Sequence, residues 1–272
     1  MQTVKLLTIA GLLVAVLAGT VTLIQRGLRQ ARGFPARIAF ERSENQFKWL
    51  AASELVDMFG FLDSSLLPRE IMHAHGDLEA LFLESRRAFN EGTEPPPCLP
   101  LGSSAGELPS SFPGFPKTVE QVVSDAAVVV RGTVMGAEGG FAQGAGMMLE
   151  VRVDEWLLET SAAARRETMF VFYPAGDFSV GHARICAATF SLPPAPGVGA
   201  EVLLFPYRFY FDPDAEFVHF GQFGAYRAND RVRAPKILEG VPELANGANW
   251  DILASRFRRV SERRNSARAL AR

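Results

Sequence analysis

The residues of this sequence that could carry out catalysis, metal binding or disulfide chemistry are one serine motif, four histidines and two cysteines. Ser104 lies in Gly102-Ser103-Ser104-Ala105-Gly106, which has the G-x-S-x-G form of a nucleophile elbow. Such an elbow needs a strand before the serine and a helix after it. Both flanks here are rich in proline, so we interpret the match as fortuitous and predict no catalytic residue.

The histidines lack the spacing of a metal site. His73 and His75 are two residues apart and share one side only in an extended segment. His182 and Cys186 are four apart and could meet on a helix, but the surrounding sequence favours loop and strand, and His219 stands alone in a predicted strand. Zinc requires three or four protein ligands. We therefore predict no metal and no cofactor.

Cys98 and Cys186 allow two interpretations that spacing alone does not separate. A bridge between them would close a loop of about 90 residues and stabilise the fold by roughly 4 to 5 kcal/mol in the chain-entropy model. The alternative is a pair of buried free thiols. A bridge would indicate an oxidising compartment, because disulfides persist there and are rare in the cytosol.

The amino terminus carries a long apolar run from Leu6 to Ile24. At helical rise it spans roughly 28 Å, about the thickness of a hydrocarbon core. A cleaved signal peptide has a shorter apolar stretch, and Leu17-Ala18-Gly19 only poorly approaches a cleavage site. Residues 1–25 are thus predicted to be a transmembrane anchor or signal segment, with the anchor favoured over a signal or a buried helix.

Charge is concentrated at two basic ends. Residues 26–42 hold five Arg and one Glu, and residues 256–272 hold seven Arg and one Glu, although the net charge is only -2. That net charge excludes a whole-molecule polyanion binder. The positive-inside rule alone would place the bulk of the chain in the cytoplasm, whereas arginines on anionic headgroups and a cysteine bridge favour export. We expect a periplasmic or extracellular soluble part, with membrane lipid as a partner.

Two helices are predicted before a proline-rich stretch. Ser43 to Gln46 forms an S-x-x-Q capping box, and apolar residues continue at helical spacing to Met58. Asp77 can cap a second helix that ends before Gly92. Residues 38–93 are therefore interpreted as a helical segment. Residues 94–117 contain seven prolines and are interpreted as a linker.

Beyond the linker the periodicity changes to that of strands. Thr118 to Gln121 has the T-x-x-Q form of a cap for a short helix that ends near Asp125. Five strands are predicted, at 126–134, 148–158, 168–173, 203–211 and 217–226, and the glycine-dense stretch 136–146 is interpreted as a flexible hairpin connection. Strands with short loops and little helix between them favour an antiparallel barrel over 118–235.

Three stretches carry a resemblance to a known group: Val122 to Val134, Leu149 to Leu158 and Pro196 to Phe205. Residues 118–230 resemble a loose group of exported bacterial proteins of unknown function with an OB-like barrel, related in outline to the tissue inhibitors of metalloproteinases and netrin-like modules. The resemblance implies the barrel but no catalytic residue. The inhibitors chelate a protease zinc through an amino-terminal cysteine, which has no counterpart here, so inhibition is not implied.

Aromatic residues are dense between Phe205 and Tyr226. On an OB-like barrel such residues could stack single-stranded bases. Asp212, Asp214 and Glu216 oppose a positive track for phosphate, so core and hairpin contacts are the favoured interpretation.

The tail, residues 247–272, is predicted to form a basic amphipathic helix. Trp250, Leu253, Phe257 and Val260 form its apolar stripe. The stripe is expected to dock on the barrel, and the alternative is that the helix lies on an anionic membrane or binds a partner.

Together these features predict an α+β protein: an antiparallel OB-like β-barrel with an amino-terminal membrane helix, a small helical segment and a carboxyl-terminal amphipathic helix. The predicted function is that of a non-catalytic, membrane-anchored envelope protein, a binding or assembly module whose partner could be another envelope protein. The alternatives are a hydrolase or other enzyme with an unrecognised site, or a single-stranded nucleic-acid binder. Nucleic acid is not an expected partner.

Overall fold

The structure, a computed structural model, describes residues 49–57, 61–63, 66, 75–101, 116–142, 144–159, 166–187, 192–206, 217–219 and 224–270. The predicted anchor (1–25), the serine motif (102–106) and His73 lie outside these residues. In the part of the chain that is described, no helix is long and apolar enough to cross a membrane.

The described residues form an α+β fold. Its helices are α1 (His75–Glu91), α2 (Val119–Asp125) and α3 (Trp250–Leu270). Its strands are β1 (Leu50–Ala51), β2 (Leu99–Leu101), β3 (Val129–Phe141), β4 (Ala145–Leu158), β5 (Thr168–Tyr173), β6 (Gly176–Val180), β7 (Ala183–Ala187), β8 (Glu201–Leu204), β9 (Phe217–His219), β10 (Gly224–Ala228) and β11 (Arg231–Arg233). Short 3-10 turns lie at Ala52–Glu54, Lys236–Leu238 and Pro242–Leu244.

A large, mostly antiparallel sheet dominates the fold. Its strands follow the order β11-β10-β8-β3-β4-β5-β9, and β1 pairs with the far end of β3. The long β3–β4 hairpin is its centre, and only the β5–β9 pair is parallel. The predicted antiparallel architecture is thus confirmed. The sequence favoured a closed or nearly closed barrel, but within the described residues the sheet is not closed, because no strand pairing joins its β11 end to its β9 end.

A proline-rich strap, residues 192–200, connects the two flanks of this open sheet. Tyr173 on β5 donates a hydrogen bond to the carbonyl of Pro193, and Tyr226 on β10 donates one to the carbonyl of Pro194, both at 2.6 Å. Leu192, Ala195 and Ala200 of the strap pack against the apolar cluster that contains both tyrosines. The strap therefore covers part of the apolar inner face of the sheet.

Two helices cover part of the outer face. Thr118 caps α2, since its hydroxyl oxygen accepts a hydrogen bond from the Gln121 N–H at 3.2 Å, and the Gln121 side chain accepts one from the Lys117 N–H. The predicted cap and helix are confirmed. The apolar stripe of α3 packs with α2 against β8, β10 and β11, and Phe257 stacks on Phe205 at a ring-centroid distance of 5.1 Å. The expected docking of the tail helix on the sheet is therefore observed.

A second, small sheet has the order β2-β7-β6. The pair β2–β7 is parallel, and the pair β6–β7 is antiparallel. Helix α1 buries Leu78, Leu81 and Phe82 in the same apolar cluster as residues from this sheet. The predicted helix is confirmed, with Gly92 beyond its end at a φ of 66°. The predicted cap is wrong, because the helix already includes His75 and Asp77 lies within its first turn.

Two local predictions are wrong. Residues 49–57 fall inside the helix predicted over 43–58, yet they form β1 and a 3-10 turn, because pairing with β3 outweighs the helical periodicity. The glycine-dense stretch 136–146 is not a flexible connection but forms the arms of the β3–β4 hairpin. A Cβ on Gly139 would lie 2.0 Å from the Cβ of Phe178, and one on Gly140 would lie 2.3 Å from the Leu50 oxygen. These glycines allow close approach rather than flexibility.

Candidate functional site: an ion-paired band on the outer sheet face

A cluster of hydrogen-bonded charged side chains crosses the outer face of the large sheet, beside α3. Strand register places Thr133 opposite both Arg152 and Glu201, and Arg131 opposite Glu155. We refer to this set as the ion-paired band; it consists of Arg131, Thr133, Arg152, Asp154, Glu155, Glu201, Arg227, Asp230 and Arg258.

Glu201 is the centre of the band. One of its carboxylate oxygens accepts a hydrogen bond from Arg131 on β3, and the other accepts one from Arg227 on β10 at 2.7 Å. Burial alone would raise the pKa of Glu201, but hydrogen bonds and charge from the two arginines outweigh it and hold that pKa below its ordinary value. The carboxylate therefore links three neighbouring strands, because β8 lies between β3 and β10.

Asp154 occupies a bulge in β4. The pairing shifts by one residue between Arg131 and Gly132, which leaves Asp154 as the additional residue on its strand. It accepts hydrogen bonds from the Thr133 hydroxyl at 2.6 Å and from the Arg152 Nε at 2.9 Å. Partial burial acts to raise the pKa of Asp154, but these hydrogen bonds and the charges of Arg152 and Arg131 lower it.

Helix α3 joins the band through Arg258. Its guanidinium makes two hydrogen bonds to the Glu155 carboxylate, at 3.0 and 2.7 Å. These hydrogen bonds lower the pKa of Glu155. Bidentate arginine–carboxylate pairs are geometrically specific, so this contact fixes the orientation of α3 on the sheet.

The band is electrostatically balanced, with four arginines against four carboxylates. A general base works best when its pKa lies near the operating pH. Here the pKa values of Asp154, Glu155 and Glu201 are all lowered, so each is a weak base at neutral pH. The Thr133 hydroxyl therefore lacks an effective base although it contacts Asp154. The geometry suits cohesion and polar recognition better than acid–base chemistry.

Arg131 retains one unsatisfied group in this band. Its Nε is buried and has no hydrogen-bond partner among the described residues, while its Nη2 bonds to Glu201. The Arg131 side chain as a whole is 31% exposed. A polar group that approaches this part of the band would therefore meet a guanidinium with incomplete hydrogen bonding.

The structure joins Cys98 to Cys186, with their Cα atoms 5.7 Å apart. The bridged interpretation is thus the one observed. It ties the segment before β2 to strand β7.

Of the four histidines, only His182 has a described side chain. The ring of His182 stacks on Phe89 at 3.8 Å, and Cys186 is in the disulfide, so this pair is not a ligand set. No group of three potential ligands occurs within the described residues. For His75 and His219 only the backbone is described.

The aromatic cluster lies partly outside the described residues. Phe205 and Tyr226 are described, and both are buried. Neither offers an exposed face for stacking a base. Burial raises the pKa of Tyr226, which keeps its hydroxyl protonated as a hydrogen-bond donor to the strap.

Sequence reasoning missed the ion-paired band. Its members come from β3, β4, β8, β10, the turn after β10 and α3, and the register of the sheet and the bulge at Asp154 align those on the strands. The available signal was the alternation of charged and apolar residues in Arg131-Gly132-Thr133-Val134 and in Arg152-Val153-Asp154. That alternation predicts an outward polar face but not which charges pair.

No protein-family model, no curated protein and no solved structure matches this chain. The relation to the exported OB-like proteins consequently stays a prediction.

Proposed function

We propose that the protein is a non-catalytic binding or assembly module, tethered to a membrane of the bacterial envelope, with its folded part outside the cytoplasm. The observation that carries this proposal is the Cys98–Cys186 disulfide. Structural disulfides form and persist in the periplasm and outside cells but are rare in the cytosol. The apolar run from Leu6 to Ile24 supplies the proposed tether.

The ion-paired band supports a binding role over an enzymatic one. Each of its carboxylates is paired with an arginine, and the lowered pKa values disfavour proton transfer near neutral pH. A balanced, partly exposed array of both charges is typical of surfaces that achieve specificity through complementary charge. We propose this face as the surface that contacts another envelope protein.

A topology test with thiol labelling examines location. Two reporter enzymes are fused after the tail, one that is active only outside the cytoplasm and one that is active only inside it. Only the first fusion should be active. A maleimide probe should label Cys98 and Cys186 in unfolded protein from cells only after reduction, and the Cys98→Ser, Cys186→Ser double variant should label in neither case. Labelling without reductant, or a cytoplasmic reporter signal, would contradict the proposal.

Binding is tested by crosslinking in the intact envelope. A photoreactive residue introduced at Arg152, in the band, should form a discrete adduct with one protein. The same residue at Glu79, on the exposed side of α1, serves as the matched control and should not yield that adduct. Equal adducts from both positions would contradict a role for the band.

A further inference from the structure

Helix α3 presents one more ordered surface, on the side away from its docked stripe. Positions 252, 259, 263 and 270 lie within about 40° of one another around a helix of 3.6 residues per turn. They extend along roughly 27 Å of its axis. We call these residues the outer row; they are Ile252, Arg259, Arg263 and Leu270.

The outer row exposes apolar side chains at its two ends. Ile252 keeps 62% and Leu270 keeps 89% of the exposed area available to them. The buried residues Leu253, Phe257 and Val260 already hold α3 on the sheet, so the row is not needed for docking. Isolated exposed apolar residues need no explanation, but these two lie in line with a pair of arginines.

The arginines in the middle of the row differ from the other arginines of this helix. Arg256 pairs with Glu120, and Arg258 pairs with Glu155. By contrast, Arg263 is 67% exposed, and its ion pair with Glu120 is longer, at 3.9 Å. Arg259 is exposed, and within the described part of the chain it forms no ion pair. The row itself contains no acidic residue, and its two arginines lie between apolar ends; Asp251 and Glu262 are exposed beside it on the same helix.

We propose that the outer row of α3 contacts an anionic lipid surface, with Arg259 and Arg263 on the phosphates and Ile252 and Leu270 entering the headgroup layer. Cationic residues between exposed apolar side chains are the pattern of helices that lie in the membrane interface. Each arginine near an anionic surface shifts the balance between contact and release by about 5-fold. The inference rests on the proposed tether, which would keep the domain close to the bilayer.

The test uses the full chain in lipid nanodiscs. One set contains phosphatidylcholine alone, and the other also contains phosphatidylglycerol; both carry a nitroxide-labelled lipid as quencher. A fluorophore on a cysteine introduced by Ser266→Cys reports contact, because Ser266 is exposed beside the row. A fluorophore at Asn90→Cys, on the exposed side of α1, is the matched control position.

We expect quenching at position 266 to increase at least about 5-fold in the anionic discs, and quenching at position 90 to stay unchanged. The double variant Arg259→Gln, Arg263→Gln should lose this increase. The variant Arg86→Gln, Arg87→Gln on α1 removes the same charge elsewhere and should retain it.

Equal quenching at position 266 in the two kinds of disc overturns the inference, and so does an increase that survives Arg259→Gln, Arg263→Gln. If the row binds an acidic protein instead of lipid, quenching at position 266 should be equal in the two kinds of disc. Failure of the tether is separately visible, because the chain would then not co-purify with either kind of disc.

Discussion

The large-sheet region and the small-sheet region of this protein are held together in different ways. In the large-sheet region, the β3–β4 hairpin alone has twelve paired positions, and helices α2 and α3 bury a continuous apolar cluster on the outer face. In the small-sheet region, β2 pairs with β7 at three positions and β6 pairs with β7 at five. The disulfide lies in the small-sheet region, which has the shorter strand ladders. Short ladders alone are marginally stable, so a covalent link adds most there.

The two regions also differ in polar chemistry. The ion-paired band connects four strands of the large sheet to α3 through side chains alone. The small sheet has one exposed ion pair, Arg184 with Asp177. Exposed ion pairs contribute little to the free energy of unfolding. Stability of the large-sheet region should therefore respond to core truncation and pH, and that of the small-sheet region to reduction.

The largest expected effect is in the large-sheet core. Phe257→Ala removes a fully buried ring that stacks on Phe205 and should lower the free energy of unfolding by about 3–5 kcal/mol. Urea unfolding followed by circular dichroism measures the loss. The control Ile252→Ala truncates an exposed residue on the same helix and should cost less than about 0.5 kcal/mol. Similar losses for both variants would show that the helix is not docked as described.

The next effect belongs to the small-sheet region. The Cys98→Ser, Cys186→Ser double variant should lose about 2–4 kcal/mol of unfolding free energy, because the variant chain gains entropy when unfolded; typical losses are smaller than the chain-entropy model gives. Addition of a reductant should lower the stability of the wild-type protein to that of the variant and leave the variant unchanged. If the reductant has no effect on the wild type, the disulfide makes no contribution to the fold.

Glu201 tests the pH response of the large-sheet region. Its pKa in the folded protein is below its ordinary value of 4.5, so its ion pairs stabilise the fold above pH 4.5, and this stabilisation is lost as the pH falls through the folded pKa. Glu201→Gln should cost about 1–2 kcal/mol at pH 7. The stability lost in Glu201→Gln should shrink at a pH below the folded pKa of Glu201, where the wild-type carboxyl is also neutral. Urea unfolding midpoints of the wild type and the variant, measured at pH 7 and at that acid pH, check this. The same difference in midpoint at both pH values would contradict a lowered pKa for Glu201.

The smallest effect concerns the strap. Tyr226→Phe removes the hydrogen bond to Pro194 and should cost about 1 kcal/mol. Hydrogen exchange should increase at the Ala200 N–H, within the strap, before it increases in β3. The companion variant Tyr173→Phe should act on the same segment from the β5 side. Unchanged exchange in both variants would mean that the strap is held by its apolar contacts alone.

Much of the fold could be predicted because local chemistry was sufficient. Thr118 and Gln121 marked the start of α2, and Gly92 marked the end of α1, since caps act within a few residues. Strand β5 matches its predicted bounds of 168–173 because a β-branched and aromatic run ends directly before Pro174.

The rest depended on contacts that are distant in sequence. Leu50 became strand because β3 offered it a partner more than eighty residues later, at Phe141. The turn between β10 and β11 places Asn229 and Asp230 at φ values of 50° and 60°, a conformation that asparagine and aspartate tolerate, yet no glycine was present to signal it. The band was beyond prediction because a single-residue bulge decides which charges meet.

Helix α3 lies downstream of every strand that the structure describes, and yet it supplies Trp250, Leu253 and Phe257 to the core of the large-sheet region. During synthesis that core cannot close until these residues have left the ribosome. Contacts of such long range also form slowly, because the loop entropy between their partners opposes them. The nascent chain therefore stays open for longer than a chain whose core closes early.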